Sequence, residues 1–512
     1  MLEAFQQAAQ EVFLRPDVWG VMLAAAFFGV LMGATPGLTA TMAMALLVPV
    51  TYWLPTIPAL AAIVTMVACA IFAGDIPTTL LRIPGTPASA AYADDAYAFT
   101  QRGRGHQALG VCLLFSIVGG LFGSLILMVA GQYLAAIATW FTVAEEFWLY
   151  MLGLTCAVLV TRGARLPALV GLLLGLMLST IGLSAVHAEP RFTLGQADLL
   201  GGINFIPAMI GLFGVSEVLK NLLVLDPGLQ SAARDEAADS AGGQPEAGST
   251  LGVATQLLGR RKKSAARSGF IGAVIGMLPG AGADIASFVS LAVSRRAGNQ
   301  GQDADTAALG NIADATTANS ASLAGAWIPA LVFGIPGDSV TAIVLGVLQM
   351  KNVKPGPEIF EKQGSLVAAI YLIFFVANLV LLPVGLLAIR AGGLVVRIPR
   401  RVLLPAILFF CTVGAFAING SPFDVGVMLV MGLLGFGLER AGVPLAPVVL
   451  GIILGGPLEE RFIQTVTSAN GDLIGFVSRP AAALLGGLCA LLWVWMVYAA
   501  WSSREDGPES QS

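Results

Sequence analysis

Long apolar stretches recur from one end of this chain to the other. A helix needs about 20 mostly apolar residues to cross a bilayer, and many of the stretches reach or approach that length. The clear ones lie near 108–136, 147–161, 166–186, 203–225, 366–389, 402–418, 422–438 and 480–501, and shorter or interrupted ones lie at 18–54, 56–73, 268–294, 322–350 and 443–456. The pattern predicts an all-α polytopic membrane protein with about 11–14 membrane segments.

Two polar segments divide this apolar chain. Residues 1–17 carry three acidic side chains and lack the basic start and apolar core of a signal peptide, so we expect an N-terminal segment at the membrane interface. Residues 226–267 are charged and rich in Ala, Gly and Ser, which is typical of a flexible linker. The prediction is a first membrane repeat at 18–225, a linker at 226–267, a second repeat at 268–479, and a last helix with a short tail at 480–512.

The two predicted repeats share motifs. GVLMGATPG at 29–37 aligns with GAVIGMLPG at 272–280, an offset of 243 (272 − 29). Ile76-Pro77, followed seven residues later by Ile83-Pro84-Gly85, recurs with the same spacing at 328–329 and 335–337, an offset of 252 (328 − 76). Two motifs that recur in the same order with one internal spacing kept indicate a duplicated unit.

The loop charges predict the orientation of the chain. Basic residues accumulate in cytoplasmic loops of membrane proteins, and the basic positions here are Arg102, Arg104, Arg162, Arg165, Arg260 to Lys263 and Arg397 to Arg401. The alternate loops near 137–146 and 187–200 are mostly acidic. Placing the basic set inside makes the linker cytoplasmic and requires the two repeats to be inverted, as in many secondary transporters. Lys351 and Lys354 come out on the far side, against this rule.

Composition agrees with a membrane protein and excludes several other classes. Of 512 residues, 56% are hydrophobic and 11% are charged, against about 25% charged in a soluble domain. The net charge of −4 argues against a nucleic-acid-binding protein. The five cysteines lie in apolar stretches without a CxxC pair, which favours small buried side chains over disulfides or metal ligands.

Four Pro-Gly pairs interrupt the apolar segments and are the candidate substrate site. Proline removes a backbone donor and glycine permits left-handed backbone, so a helix stops at each pair. Within a membrane such a break lines a cavity or is buried in protein, and the resumed helix offers N–H groups to an anion. The alternative for any one pair is a packing kink. The substrate-binding candidates are Thr35, Pro36, Gly37, Thr39, Pro84, Gly85, Thr86, Ser89, Pro279, Gly280, Gly282, Pro336, Gly337 and Ser339.

Carboxylates within the apolar zone are the candidates for coupling to a cation. Intramembrane acids are costly and are therefore functional candidates, and acid and hydroxyl oxygens suit Na⁺. The alternatives are that Arg82 pairs with Asp75 or snorkels, and that the small polar side chains at 315–322 only hold helices together. The cation-coupling candidates are Asp75, Asp284, Asp314 and Asp338, with Na⁺ as a possible metal.

No enzyme signature occurs in the sequence. HExxH, GxSxG and the Walker GxxxxGK[ST] motif are absent, and the two histidines lie in loops. We therefore expect a transporter and not an enzyme. The alternative, an intramembrane enzyme or lipid-processing protein, would need a nucleophile, a metal cluster or a DDxxD-type motif.

The chain resembles the large permease subunit of the tripartite tricarboxylate transporters. The resemblance rests on residues 29–55, 74–110, 272–290, 328–357 and 456–480, and it extends from about residue 20 to 500. It implies a binding-protein-dependent importer of small organic di- or tricarboxylates that works by cation symport. It also implies that Asn319 belongs to the substrate site.

The resemblance implies partners and a location as well. The expected partners are a small membrane subunit and a periplasmic carboxylate-binding protein, and the expected location is the bacterial cytoplasmic (inner) membrane. No cofactor is expected, and the coupling ion is Na⁺ or H⁺. The residues leave open which carboxylate is carried, which of the two ions is coupled and the oligomeric state.

Overall fold

The computed structural model describes residues 2–35, 37–161, 165–184, 188–223, 247–280, 282–298, 303–395 and 400–505. The helices of the first half are α1 Leu2–Phe13, α2 Pro16–Ala34, α3 Ala40–Trp53, α4 Thr56–Ala73, α5 Asp75–Leu81, α6 Ala93–Gln101, α7 Gly105–Ala138, α8 Val143–Val160, α9 Arg165–Ser179, α10 Phe205–Met209 and α11 Ser216–Leu223. Those of the second half are α12 Ala247–Gly276, α13 Gly282–Gly298, α14 Ala304–Phe333, α15 Ser339–Met350, α16 Glu358–Lys362, α17 Gly364–Val395, α18 Arg400–Asn419, α19 Pro422–Arg440, α20 Leu445–Ser468 and α21 Pro480–Glu505.

The all-α prediction is confirmed. Six helical segments of the described chain are long and apolar enough to cross a membrane: Pro16–Ala34, Thr56–Leu81, Gly105–Ala138, Phe205–Leu223, Gly364–Ala391 and Pro422–Arg440. Five shorter apolar helices accompany them: Ala40–Trp53, Arg165–Ser179, Ser339–Met350, Leu404–Asn419 and Pro480–Met496. The described strands are Gly182–Leu183 and Pro190–Arg191, which pair antiparallel. Short 3-10 helices lie at Ala88–Tyr92, Ala197–Leu199 and Leu473–Val477, and a π-helical turn lies at Ile210–Val215.

The chain forms two compact units. Unit 1 comprises Met1–Ala135 and Asn204–Gly437, and unit 2 comprises Ala136–Ile203 and Leu438–Ser512. Each predicted repeat contributes to both units, because the first supplies α8 and α9 to unit 2 and the second supplies α20. Within unit 2, α20 packs on α8 and α9, and α21 packs on α8.

Helix pairs inside unit 1 repeat the same contacts. In the first half, Gly29 and Gly33 of α2 face the backbone of Met66 and Ala70 in α4. In the second half, the equivalent glycines of α12 face the equivalent positions of α14, namely Gly272 on Ala318 and Gly276 on Ser322. In each pair the contacts advance together along both helices, so the two helices run parallel. The duplicated motifs therefore form the same local packing.

The central helices α7 and α17 run in opposite directions. Along α7, Gly131 lies beside Tyr371 and Gly120 beside Asn378, while Leu113 lies beside Gly385. Residue numbers fall on one helix as they rise on the other. Each of these helices follows the break of its own repeat, so an antiparallel pair is what inverted repeats require. Inversion stays a prediction, and this contact pattern favours it.

The predicted linker is wrong over its second part. The structure has a helix from Ala247 onward, so residues 247–267 are not flexible chain; the preceding residues 224–246 lie outside the described ranges. The reason is that this stretch is rich in Ala, Leu, Lys and Arg, which are good helix formers, and that α12 packs along α14. A kink marks the helix at Arg261, with φ −113° and ψ 25°.

Candidate functional site

Two equivalent helix breaks carry many of the candidate site residues. Helix α5 ends at Arg82, with φ 58°, and helix α14 ends at Gly334, with φ 69°. These two positions are equivalent under the offset that relates the duplicated Ile-Pro motifs. Each end is closed by the same backbone bond, from Ile83 N to Pro77 O (3.3 Å) and from Ile335 N to Pro329 O (3.2 Å). The duplication therefore extends to the backbone conformation of the breaks.

Matched capping boxes restart the chain after both breaks. In the first half, Ser89 N donates to Thr86 Oγ1 and Thr86 N donates to Ser89 Oγ, both at 3.2 Å. In the second half, Thr341 N donates to Asp338 Oδ1 (2.7 Å) and Asp338 N donates to Thr341 Oγ1 (2.9 Å). A reciprocal pair of this kind satisfies two otherwise unpaired donors. Thr86 and Ser89 thus serve their own loop, and the Asp338 carboxylate caps a helix.

The two breaks of the second half meet. Gly280 N donates to Gly337 O at 2.8 Å. Gly282 lies against Asp338, since a Cβ on this glycine would stand 3.5 Å from the Cβ of Asp338. The sequence motifs around Pro279 and Pro336 are therefore one site in space.

A threonine of the first half reaches this site. Thr41 Oγ1 and Ser339 Oγ are 3.3 Å apart, and they join α3 to the first residue of α15. Thr39, predicted to bind substrate, instead caps α3 by accepting from Met42 N at 3.1 Å. The hydroxyl pair of Thr41 and Ser339 is therefore a polar contact between the two halves at the start of α15.

The first-half break is held by a hydroxyl that the candidate set did not include. Thr78 Oγ1 accepts from Gly85 N (3.1 Å), contacts Ser89 Oγ (2.8 Å) and donates to Gly74 O (2.7 Å). Thr78 follows Gly74 by one helical turn, and that i, i+4 spacing was the only available signal. Pro84 itself offers no donor.

The remaining first-half candidates lie near the end of α2. Pro36 is outside the described residues. Thr35 is buried and donates its hydroxyl to Leu31 O at 2.6 Å, within its own helix. Gly37 has φ 88°, and its carbonyl accepts from Asn221 Nδ2 at 3.4 Å. Asn221 is distant in sequence from Gly37, and no local pattern predicts that contact.

Several N–H groups that were expected to hold an anion already have protein acceptors. Those of Gly85, Thr86, Gly280 and Asp338 all donate within the breaks. In this structure the loops use these four groups to close their own backbone, and their binding of an anion stays a prediction. The first turn of α15 with Ser339 and Thr41 is the part of the site that remains suited to a carboxylate.

The four candidate acids have different surroundings. Asp75 is 1% exposed and accepts a hydrogen bond from the Tyr92 hydroxyl. Asp314 is 0% exposed, accepts from Ser264 Oγ at 2.6 Å and lies 3.2 Å from Arg267 and 3.8 Å from Arg261. Its charge is already balanced, which favours a structural role. Asp284 is exposed in the first turn of α13.

Arg82 does not pair with Asp75. Its guanidinium lies 2.6 Å from Asp94, and both side chains are largely exposed, at 62% and 79%. The alternative pairing weighed from the sequence is therefore wrong, because the left-handed turn at Arg82 directs the side chain toward the start of α6.

Charged residues of both halves meet at one end of unit 1. Asp305 pairs with Arg102 and, at 2.5 Å, with Arg104. Asp95 lies 3.6 Å from Arg295 and accepts from Asn311 Nδ2 at 3.3 Å. The loop at 102–104 and the start of α14 thus lie at the same end of unit 1. The basic part of α12, which pairs with Asp314, belongs to this basic end.

Lys351 has a structural reason to stand apart from this basic end. Its ammonium donates to Tyr52 O (2.7 Å) and Leu54 O (2.6 Å) at the end of α3. Carbonyls at a helix C-terminus attract a cation. The exception to the loop-charge rule is therefore a helix cap.

The long apolar helices and the paired breaks are typical of a multi-pass membrane transporter. The chain belongs to the tripartite tricarboxylate transporter TctA family, whose pattern matches residues 20–450. The family resemblance inferred from the sequence is thus confirmed.

Two relatives from Agrobacterium vitis are similar to the chain. One, described as "Uncharacterized 52.8 kDa protein in TAR-I ttuC' 3'region", is 33% identical over 471 residues, which are 91% of this chain and 90% of the relative. The other, described as "Uncharacterized protein in TAR-II ttuC' 3'region", is 35% identical over 224 residues, which are 43% of this chain and 93% of the relative. No solved structure matches the chain.

Proposed function

We propose that this chain is the permease subunit of a binding-protein-dependent secondary transporter that imports small organic di- or tricarboxylates by cation symport. Membership in a tripartite tricarboxylate transporter family supports the substrate class and the need for partners. The observation that carries the proposal is the meeting of two helix breaks around Gly280 and Gly337, beside the Thr41–Ser339 pair that joins the halves. Broken helices that meet at a repeat interface are where secondary transporters bind their substrates.

The chemistry of this place suits a carboxylate only in part. The start of α15 carries a partial positive charge, and the hydroxyls of Ser339 and Thr41 can donate to an anion. Asp338, at the same turn, repels an anion. A cation carried with the substrate lowers the net negative charge of the buried region and so eases this repulsion, which is the physical reason for symport.

The proposed partners are a small membrane subunit and a periplasmic carboxylate-binding protein, and the proposed location is the bacterial inner membrane. The tripartite family supports both. A transporter needs no catalytic side chain, and the proposal includes no cofactor.

The test uses all three components in proteoliposomes. Radiolabelled di- and tricarboxylates are supplied with the binding protein, and uptake is measured with and without inward gradients of Na⁺ or H⁺. Thr41→Val and Ser339→Ala should each reduce uptake about 10-fold or more, since each removes one hydrogen bond to a charged group at a half-buried site. Thr412→Val is the matched control, because its hydroxyl bonds only to Leu408 O of its own helix. No uptake of any carboxylate by the complete wild-type system would overturn the proposal.

A further inference from the structure

Asp75 has one unsatisfied oxygen in the interior of unit 1. Its side chain is 1% exposed, and the Tyr92 hydroxyl donates to Oδ1. No described residue forms a hydrogen bond with Oδ2, and the same is true of the Thr79 hydroxyl, one helical turn further along. Side chains four residues apart on a helix are neighbours, with Cβ atoms about 5–6 Å apart. Two unsatisfied oxygens therefore face the same small region.

Three other segments of the chain lie around this carboxylate. Tyr92 comes from the 3-10 helix at Ala88–Tyr92, Cys112 from α7 and Asn319 from α14, and all three are at most 2% exposed. Cys112 is within hydrogen-bonding reach of Asp75, and Asn319 is within reach of the Tyr92 hydroxyl. Asn319 belongs to the second half of the chain, so the cluster connects the halves. The titratable groups that face Asp75 are Tyr92 and Cys112.

No basic side chain of the described residues forms an ion pair with Asp75. Arg82, seven residues away, pairs with Asp94. A buried carboxylate without a counter-charge is costly, so either it is neutral or a cation accompanies it. A proton on Oδ1, donated to the Tyr92 oxygen, would neutralise the acid but would leave Oδ2 and the Thr79 hydroxyl without a partner among the described residues. A Na⁺ ion between those two oxygens would serve both, since carboxylate and hydroxyl oxygens are suitable ligands for a hard cation.

The second half provides an internal contrast. The position equivalent to Asp75 in the duplicated unit is Trp327, which is 1% exposed and packs edge-on against Phe374. The position equivalent to Tyr92 is Val344, which is also buried. The repeat therefore keeps the packing at these places and has the polar cluster in one half only.

We propose that Asp75 and Thr79, with Tyr92 and Asn319 beside them, form a Na⁺ site, and that this site carries the coupling ion. Its transport role rests on the proposed function; the binding of Na⁺ does not. When Na⁺ occupies the site, the Asp75 charge is balanced and the Tyr92–Asn319 contact holds the halves together. Loss of Na⁺ leaves a buried charge between them.

Binding is tested without any carboxylate. The purified full chain is unfolded thermally in nanodiscs, with NaCl replaced stepwise by N-methylglucamine chloride at constant ionic strength and pH. Wild type should show a saturable rise in Tm of roughly 2–4 °C in Na⁺, because a ligand that binds only the folded state stabilises it. Asp75→Asn should abolish the rise, and Thr79→Val should shift its midpoint to at least 10-fold higher Na⁺.

Asp424→Asn is the matched control and should keep the rise. Asp424 is 5% exposed and already has a partner, Asn419 Nδ2 at 2.8 Å. A rise of equal size in Asp75→Asn, or no rise in wild type, overturns the site. A wild-type Tm that responds to pH and not to Na⁺, with the response lost in Asp75→Asn, also overturns the Na⁺ assignment and identifies a proton.

Transport separates this inference from the proposed function. In proteoliposomes with the partner proteins, Asp75→Asn should retain carboxylate exchange between the two sides and lose at least 10-fold of Na⁺-driven net uptake. Equal loss of exchange and net uptake would overturn the coupling role. If Na⁺ raises the Tm while wild type moves no carboxylate, the Na⁺ site stands and the proposed function fails.

Discussion

The two equivalent helix breaks, at residues 82–89 and 334–341 of unit 1, share a backbone conformation and differ in their side chains. In both, a helix ends at a residue in the left-handed region, and a backbone hydrogen bond between residues six apart closes the end. Both then restart with a reciprocal capping box. The side chains differ: Arg82 stands where Gly334 does, and Thr86 stands where Asp338 does.

The difference separates what the fold requires from what the chemistry uses. Hydrogen bonds that close a buried break have to be made in either half, because unpaired backbone groups in a membrane cost several kcal/mol. Residues that do not serve this closure are free to diverge. Asp75 and Trp327 are the clearest pair, since one is a buried acid and the other a packed aromatic side chain.

The largest effect should come from adding a side chain to either break. A Cβ on Gly85 would lie 2.4 Å from Gly74 O, and one on Gly337 would lie 2.6 Å from Gly276 O. Gly85→Val and Gly337→Val should therefore abolish uptake and lower the yield of folded protein. Gly426→Val is the control, because a Cβ there meets nothing within 4 Å. Near-normal transport by both variants would show that each break can move away from the backbone it contacts without loss of function.

The buried charge cluster of the second half should give the next largest effect. Asp314 balances Arg261 and Arg267, whereas the equivalent first-half position is the buried Ala62. Removing one partner of a buried ion pair costs about 3–5 kcal/mol. Asp314→Asn should lower the Tm strongly while an Ala62→Ser variant changes it little. A Tm for Asp314→Asn within a degree of wild type would place this cluster in water.

Exchanging the two capping residues should have a smaller effect. Replacing a cap by alanine costs about 0.5–2 kcal/mol, whereas another capping side chain nearly restores stability. Asp338→Ala should thus lower the Tm, and Asp338→Thr, which copies the first half, should recover most of it. The Na⁺-dependent Tm rise should persist in Asp338→Thr. Its loss would make Asp338 a cation ligand as well as a cap.

The smallest effect should come from Arg82. A non-glycine residue in the left-handed region costs about 1–2 kcal/mol, while the exposed pair with Asp94 contributes about 0–1 kcal/mol. Arg82→Gly should therefore raise the free energy of unfolding by about 0–2 kcal/mol. Gly334→Arg should lower it. A matched decrease from both substitutions, measured by denaturant unfolding, would mean that the Arg82 pair outweighs the backbone strain.

The sequence predicted the breaks and their duplication because both are local. A Pro-Gly pair stops a helix wherever it occurs, and a fixed offset survives in the residue numbers. The contacts between distant segments could not be predicted from the sequence. Asp314 pairs with Arg261 and Arg267, which lie much earlier in the chain on another helix. No spacing in the sequence predicts which of several basic residues will be adjacent to it.

The helical part of the predicted linker was missed for the same reason. The stretch 247–267 was expected to be flexible because its charges outweighed its helix-forming composition, and burial along α14 was not visible. Hydroxyls and N–H groups at the breaks were expected to face a ligand. The structure uses many of them to close the backbone, an outcome that depends on the neighbouring turn and not on the residue types.

The ion pairs that join the halves at one end of unit 1 make that end sensitive to salt. Arg102, Arg104 and Arg295 are each at least 40% exposed, so each pair contributes about 0.2–1 kcal/mol. Salt screens exposed charges, so the hold of these pairs on the two halves weakens as the ionic strength rises.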